Sequence, residues 1–287
     1  KSVDLDYEVR ADDWSAVEIT PGPTWQARRW EQRPVRFVDG KDVGQTISWI
    51  RAPAGYPIPV RLSQIGGVAI RVADGICRRD NIVIERGVVS MVLDPFPWDQ
   101  VESFAAALQQ NGFRLLPAFP EGGVPSFDYE TMRRATEHRS NEEMGTLEEA
   151  VLSSDPAVPT VVDGRLEPRM GGFAAASSPV FGVVKTHYQR FLHDLGMRVL
   201  YDLAPRQRTP VFGLLERKLP TVSWYVRLAG DDRSMPNWGI VRVELAKQWF
   251  EQQQGQNWDF VNALSLTLFD YRSRDGGYSR AEVSLHP

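Results

Sequence analysis

The order of hydrophobic patterns along the chain predicts a mixed α/β protein whose sheet begins as an antiparallel meander and gains parallel strands later. Runs rich in β-branched residues dominate the first third. Two amphipathic helical patterns follow, and beyond them short apolar runs alternate with helical segments, an order typical of parallel strand additions. The predicted early strands are 35–38, 45–50, 58–72 and 82–93, and the two helices are 98–111 and 127–153.

The N-terminal residues differ from the rest of the chain. Residues 1–33 are charged, contain Trp14, Trp25 and Trp30, and are broken by Pro-Gly-Pro at 21–23. We therefore predict an N-terminal arm over 1–33 and one domain over 34–287. The three tryptophans exceed what a free tail needs, which makes packing across a subunit boundary a hypothesis for the arm.

The later elements are shorter. Asp-Gly at 74–75 predicts a hairpin turn, and the apolar run 159–162 predicts a buried strand. The remaining predicted strands are 179–185, 210–216, 221–228 and 239–245, and the remaining predicted helices are 187–203, 246–253 and 257–268.

The charge and cysteine content limit the classes of function that the chain can have. With 33 basic and 37 acidic residues the net charge is -4, so a nucleic-acid-binding protein would have to confine its positive potential to one groove. The single cysteine, Cys77, excludes an internal disulfide and fits the cytoplasm; we expect it to be buried in a strand. Since no apolar run approaches the ~18 residues of a membrane span, we expect no membrane association.

Two predicted strands end with the same four-residue pattern, FVDG at 37–40 and VVDG at 161–164. An aspartate at the end of a buried strand, followed by glycine, places a carboxylate at the rim of a sheet. Mg²⁺ and Mn²⁺ prefer oxygen ligands and retain waters, so two or three carboxylates suffice. Two such ions about 4 Å apart activate water and stabilise the leaving oxygen of a phosphodiester. Each Asp-Gly taken alone is more typical of a turn than of a metal ligand.

A third carboxylate is expected from the helix between these strands. At 100° per residue, Glu143 and Glu148 lie at the two edges of the apolar stripe, whereas Glu142 and Glu149 point to the opposite side. Glu143 and Glu148 are therefore the candidates. A competing interpretation of Glu143 is a capping box with Ser140 as the N-cap residue.

This order of elements resembles the ribonuclease H-like superfamily and, within it, the NurA nucleases that work with the HerA hexameric ATPase in DNA-end resection. The resemblance implies a ribonuclease H-like mixed sheet flanked by helices, with an N-terminal extension. The resembling stretches are FVDG (37–40), RSNEEMGTLEEAVL (139–152), VVDGRL (161–166), VFGVVKTH (180–187), RTPVFGL (208–214), SWYVRL (223–228) and VRVEL (241–245).

The resemblance implies that Asp39, Glu143 and Asp163 bind two Mn²⁺ or Mg²⁺ ions. A further ligand is expected near the C-terminus, where GGYSRAEVSLHP (276–287) offers His286 and, as second choice, Glu282. The pattern departs from the family at Gly40-Lys41-Asp42, where Gly-Ser is usual, so Asp42 is a possible additional ligand. Gly-Gly at 66–67 allows a second register, in which Gln64 replaces the aspartate.

Five residues are candidates for contact with DNA. Lys185, at a predicted strand end, is suited to a phosphate as a point charge, and the strand arginines Arg208, Arg227 and Arg242 are weaker candidates. Tyr225 is suited to stacking on a splayed base, although we expect it or its neighbour Trp224 to belong to the core.

The carboxylates and the resemblance together predict a metal-dependent DNA nuclease, and the resemblance implies a homodimer with a HerA-like ATPase partner. The alternative is a non-catalytic ribonuclease H-like subunit that binds nucleic acid or acts as a scaffold in a DNA repair or defence complex. A guide-dependent nuclease of the Argonaute type ranks lower, because it normally needs a much longer chain.

Overall fold

The computed structural model describes residues 3–26, 30, 32–73, 76–121, 127–173, 176–187, 189–230, 237–252 and 257–272. The chain forms two compact units. Unit 1 comprises Lys1–Val38, Ile70–Arg79 and Asp155–Pro287, and unit 2 comprises Asp39–Ala69 and Asp80–Ser154.

The strands and helices are as follows. The strands are β1 (Val17–Glu18), β2 (Arg36–Arg51), β3 (Pro57–Ala73), β4 (Ile76–Met91), β5 (Phe113–Pro117), β6 (Thr160–Asp163), β7 (Val180–Val184), β8 (Gln207–Arg208), β9 (Phe212–Leu214), β10 (Thr221–Arg227) and β11 (Ile240–Ala246). The helices are α1 (Pro23–Gln26), α2 (Trp98–Gln110), α3 (Tyr129–Ser153), α4 (Met170–Phe173), α5 (Asp194–Asp202), α6 (Lys247–Glu251) and α7 (Asn257–Asp270).

Unit 1 contains a mixed sheet in the order β1-β8-β10-β11-β7-β6-β2. β2, β6 and β7 are parallel, whereas β7, β11, β10, β8 and β1 are antiparallel neighbours. The apolar face of β10 and β11 packs against the buried side chains of α7, including Phe260 and Leu264. Parallel and antiparallel strands with flanking helices confirm the mixed α/β prediction, and the assignment to the ribonuclease H-like superfamily stays a prediction.

The N-terminal segment packs within unit 1 of its own chain. Trp14 is buried against Leu192, Leu200 and Phe212, and its indole nitrogen donates to the carbonyl of Leu5 at 2.9 Å. Burial of a large aromatic side chain stabilises a fold by several times the thermal energy. The segment is therefore part of the core of unit 1, and its packing against a second subunit stays a prediction.

Unit 2 is built on β2, β3, β4 and β5, of which β4 and β5 are parallel. The long helix α3 agrees with the prediction. Glu143 and Glu148, which the periodicity places at the edges of the apolar stripe, are both buried on it. The capping box is wrong: Asp128 is the N-cap residue and accepts from the backbone nitrogen of Thr131 at 2.8 Å. Ser140 lies in the middle of the helix, because the polar residues before it continue the helical turn.

The predicted end of the first strand at Asp39-Gly40 is also wrong, since β2 continues to Arg51. Gly40 is required for close packing. A Cβ atom built on Gly40 would lie 2.7 Å from Glu148 Oε1, so a larger residue would require the Glu148 side chain to move. The strand therefore passes beneath α3 where the sequence suggested a turn.

Gly67 of β3 provides a test of this packing. A Cβ atom there would lie 3.0 Å from the backbone carbon and oxygen of Leu147, which cannot move as a side chain can. We expect Gly67→Ala to lower the free energy of unfolding by about 1–3 kcal/mol, measured by urea denaturation. Gly145→Ala is the control: its Cβ meets nothing within 4 Å, and in a helix it should stabilise by about 0.5–1 kcal/mol. Equal effects would contradict the packing.

The structure contradicts two further expectations. The predicted helix over 187–203 is shortened to α5, because residues before Asp194 follow an irregular path in which His187 Nε2 lies 3.0 Å from the carbonyl of Ile240. Cys77 lies in β4 but is exposed, not buried. The turn at 74–75 lies outside the described residues. None of the helices within the described ranges combines the length and apolarity of a membrane span.

Candidate functional site

Asp163 and Lys185 are the predicted site residues that unit 1 brings together. Asp163 is the last residue of β6, and its register partner on the parallel strand β7 is Val183. Side chains two residues apart on a strand share a face, so Lys185 projects on the side of Val183 and Asp163. Lys185 Nζ donates to Asp163 Oδ2 at 2.9 Å, with side-chain exposures of 26% and 39%. The result is a solvent-accessible carboxylate–ammonium pair at the end of two parallel strands.

Two glycines allow the chain to leave β6 at this point. Gly164 has a φ of 103°, a conformation that favours glycine, and its nitrogen donates to the carbonyl of Val183 at 2.8 Å. A Cβ atom on Gly182 would lie 2.7 Å from the carbonyl oxygen of Gly164. The Asp-Gly motif therefore turns the backbone sharply after the carboxylate, as the sequence predicts.

The register of β2 with β6 bears on the second predicted aspartate. Arg36, Phe37 and Val38 pair with Thr160, Val161 and Val162 in unit 1, and in the sequence the next residue of each strand is an aspartate, Asp39 and Asp163. In unit 2, Asp39 is exposed, and one of its own oxygens accepts from the nitrogen of Gly40 at 2.9 Å.

Glu148 and Asp39 use opposite faces of β2. Glu148 packs against Gly40, and neighbouring strand residues point to opposite sides. The alternating exposure of β2 from Asp39 onward agrees, with Asp39, Lys41 and Val43 on the exposed side. The helical phase therefore predicts the burial of Glu148, but unit 2 does not place it on the same side of the strand as Asp39.

Glu143 is surrounded by arginines. Arg86 and Arg114 both donate to its Oε1, Arg114 at 2.6 Å, and Arg139 Nη2 lies 3.8 Å from Oε2. The Glu143 side chain is 4% exposed. A carboxylate already neutralised by guanidinium groups is a poor ligand for a cation, so the expected metal-binding role of Glu143 is not retained.

Asp42, the possible additional ligand, is also engaged. Its Oδ2 accepts from Ser140 Oγ at 2.6 Å and from Arg61 Nη2 at 3.1 Å, and its side chain is 6% exposed. The ion pair with Arg61 accounts for the charge of this buried carboxylate. Asp42 therefore stabilises unit 2, and a metal-binding role is not retained for it either.

Two of the arginines expected to contact DNA are interior. Arg208 is 1% exposed and forms a bidentate pair with Glu8 at 2.7 and 2.8 Å. Arg227 is 1% exposed and donates to the carbonyls of Trp238 and Tyr201. Buried guanidinium groups bound to protein acceptors cannot reach a phosphate backbone, so neither is retained as a DNA contact.

Both aromatic candidates belong to the core. Trp224 is fully buried, and its indole nitrogen donates to Ser265 Oγ at 3.0 Å. Tyr225 is 3% exposed and stacks on Phe212 at 5.8 Å between ring centroids. Burial raises the pKa of Tyr225 to about 12. Stacking of either ring on a splayed base is therefore not retained.

Arg242 lies on the floor of a cavity of about 310 Å³ in unit 1. Tyr225, Arg242 and Val184 are register partners on adjacent strands and form one row across the sheet. The segments that follow Asp163 and Lys185 form the walls. The lining residues are Gly164, Arg165, Val184, Thr186, His187, Gln189, Phe191, Tyr225 and Arg242.

A buried charge cluster supports this floor. Glu244 Oε1 accepts from Arg242 Nη2 at 2.9 Å and from Arg217 Nη1 at 3.1 Å, while its Oε2 accepts from the backbone nitrogen of Leu166 at 3.0 Å. Glu244 and Arg217 were not predicted. The spacing of Arg242 and Glu244, two residues apart within VRVEL, was the available signal, because it puts both charges on one face of a strand.

The fourth predicted ligand, His286, and its alternative Glu282 lie outside the described residues. Within the described part of the chain, no three His, Cys, Asp or Glu side chains form a group able to hold a metal ion. The accessible carboxylate of Asp163 remains compatible with Mg²⁺, which is often held by one or two carboxylates together with substrate phosphates and water.

Comparisons with known proteins give little that bears on this site. No family model matches the sequence, and no curated protein matches it. Among solved structures, the chain is similar to the crystal structure of the NurA nuclease from Sulfolobus solfataricus, with 12% sequence identity and a TM-score of 0.42, over 88% of this chain and 76% of that chain. A likeness at this level assigns no function.

Proposed function

We propose that the protein hydrolyses phosphodiester bonds of DNA with Mg²⁺ or Mn²⁺ held at Asp163, with Lys185 beside it. Asp39 stays a predicted further ligand. The observation that carries the proposal is the accessible Asp163–Lys185 pair at the ends of β6 and β7. The carboxylates of Glu143 and Asp42 are buried and pair with arginines, whereas the carboxylate of Asp163 is accessible. One or two protein carboxylates suffice for Mg²⁺, which keeps several waters and binds substrate phosphates.

Each side chain has a distinct part in the proposed reaction. When bound, the cation lowers the pKa of water and offsets charge on the phosphate. Asp163 orients that cation, and Lys185 binds a non-bridging phosphate oxygen, since ammonium is suited to a phosphate as a point charge. Lys185 neutralises Asp163 in the free protein and would turn to the phosphate when a cation takes its place.

The proposal makes a specific prediction for Glu143. We expect Glu143→Gln to leave metal-dependent cleavage near the wild-type rate but to lower the free energy of unfolding by about 1–3 kcal/mol, because Arg86 and Arg114 lose a charged acceptor. Cleavage of single-stranded DNA and urea denaturation measure the two effects. Glu142→Gln, on the exposed side of the helix, is the control. Loss of cleavage with unchanged stability would restore Glu143 as a ligand.

A non-catalytic nucleic-acid-binding or scaffold subunit is the second candidate. It is favoured by the neutralisation of Glu143 and by the lack of a three-residue metal group among the described residues. Titration calorimetry with Mn²⁺ separates the candidates. Binding that Asp163→Asn removes supports the nuclease, and no binding at millimolar Mn²⁺ supports the scaffold. The homodimer and the HerA-like partner stay predictions.

A further inference from the structure

The cavity lined by Arg165 and Arg242 carries an excess of positive charge. Arg242 and Arg217 are buried, and both pair with one buried carboxylate, that of Glu244. The exposed Arg165 adds a further positive charge at the rim, so these four side chains carry a net charge of +2. Burial lowers the pKa of His187, so its imidazole is neutral at pH 7 and adds no charge. Uncompensated buried charge is costly, and an anionic ligand removes that cost.

Arg242 has an unused donor in this cavity. The residue is 3% exposed, and its guanidinium lies 4.6 Å from the Phe191 ring centroid. Nη2 is bound to Glu244, whereas Nη1 is buried and has no hydrogen-bond partner among the described residues. A buried donor without an acceptor is rare in folded proteins and points to a ligand. The carboxylate of Glu244 also accepts from Arg217 Nη1 and from the backbone nitrogen of Leu166.

The geometry points to a subsite for the phosphomonoester of a nucleotide, held by Arg242 from the floor of the cavity and by Arg165 from its rim. A phosphomonoester carries nearly two negative charges at pH 7, which matches the net +2, whereas an internal phosphodiester carries one. The volume of about 310 Å³ is at the lower end of the range for small-molecule sites. This inference rests on the proposed function, because the lining segments directly follow Asp163 and Lys185.

The phosphomonoester has two possible sources, the end of a DNA strand or a released mononucleotide. The test measures binding in EDTA, without cleavage, of hexathymidylate carrying a 5′-phosphate, a 3′-phosphate or neither, and of thymidine 5′-monophosphate as competitor. We expect at least one phosphorylated hexamer to bind about tenfold or more tightly than the unphosphorylated one. Competition by the mononucleotide at equal affinity would identify the released product as the ligand, and weaker competition would identify the strand end.

Substitutions of the cavity arginines test whether the phosphorylated hexamer binds in this cavity. Arg242→Gln and Arg165→Gln should each remove most of the preference for the phosphorylated hexamer, and Arg198→Gln, an exposed arginine on α5, should retain it. If Arg242→Gln fails to fold, the exposed Arg165 decides the question. The inference is overturned if the wild-type protein does not distinguish the hexamers, or if both pocket variants keep the preference.

These outcomes are independent of the nuclease proposal. Binding in EDTA needs neither a metal ion nor Asp163. Phosphate binding without DNA cleavage would support the subsite and contradict the nuclease proposal. Cleavage of DNA in Mn²⁺ without a phosphate preference would support the nuclease proposal and contradict the subsite.

Discussion

Asp163→Asn is expected to reduce Mn²⁺-dependent cleavage of single-stranded DNA by at least about 1000-fold, because loss of a negatively charged metal ligand removes several kcal/mol of stabilisation from the transition state. The substitution keeps the shape of the side chain and an acceptor for Lys185, which lies 2.9 Å away. The thermal midpoint should therefore change little. Initial rates on a labelled oligonucleotide and a thermal melt measure the two quantities.

A matched control exists in the same unit. Asp155 is also half-exposed and paired with a cation, with Oδ2 2.6 Å from Arg71 Nη2. Asp155→Asn should cleave at the wild-type rate, because this pair lies outside the proposed site. Wild-type cleavage by Asp163→Asn would exclude a catalytic role for the aspartate, and equal losses in both variants would indicate a general effect of surface charge.

Glu8→Gln is expected to lower the free energy of unfolding by about 3–5 kcal/mol, because it leaves the guanidinium of Arg208 buried without its counter-charge. Arg208 is 1% exposed, and Glu8 also accepts from the backbone nitrogen of Val211 at 2.7 Å. Glutamine retains one acceptor oxygen but turns a donor toward a second donor of the guanidinium. Urea denaturation followed by circular dichroism measures the loss.

Two comparisons separate this effect from a general one. Asp12→Asn, at an exposed position of the same segment, should change the free energy of unfolding by less than about 0.5 kcal/mol. The double variant Glu8→Gln/Arg208→Met should recover part of the loss, because the buried charge is gone. A loss below about 1 kcal/mol in Glu8→Gln would mean that the N-terminal segment is not held by this pair.

The burial of Arg208 could not be predicted from the sequence. A strand arginine flanked by polar residues resembles a surface residue, and its partner Glu8 lies 200 residues away in the chain. Glu143 is a similar case. Its helical phase predicts burial correctly, but the arginines that neutralise it come from β4 and β5, 57 and 29 residues away. Neither partner leaves a local pattern in the sequence.

The positions of Asp163 and Lys185 at strand ends could be predicted, because they depend on residues close by in the sequence. Each stands at the end of a short apolar run, and glycine follows Asp163 at a position whose φ of 103° favours glycine. Strand ends and turns depend on neighbouring residues. Asp39-Gly40 has the same local pattern yet continues as a strand, because Gly40 accommodates Glu148 from α3.

Local patterns were thus sufficient for the mixed α/β architecture, the burial phase of α3 and the exit of the chain from β6 at Asp163. Packing between distant segments set the chemical state of each charge. Arginines from distant strands neutralise Glu143, and Glu8 pairs with the buried Arg208. Arg242 Nη1 lies in a positively charged cavity without a hydrogen-bond partner among the described residues. The physical reason is that periodicity depends on neighbours along the chain, whereas the electrostatic environment of a side chain depends on charges within a few ångströms in space.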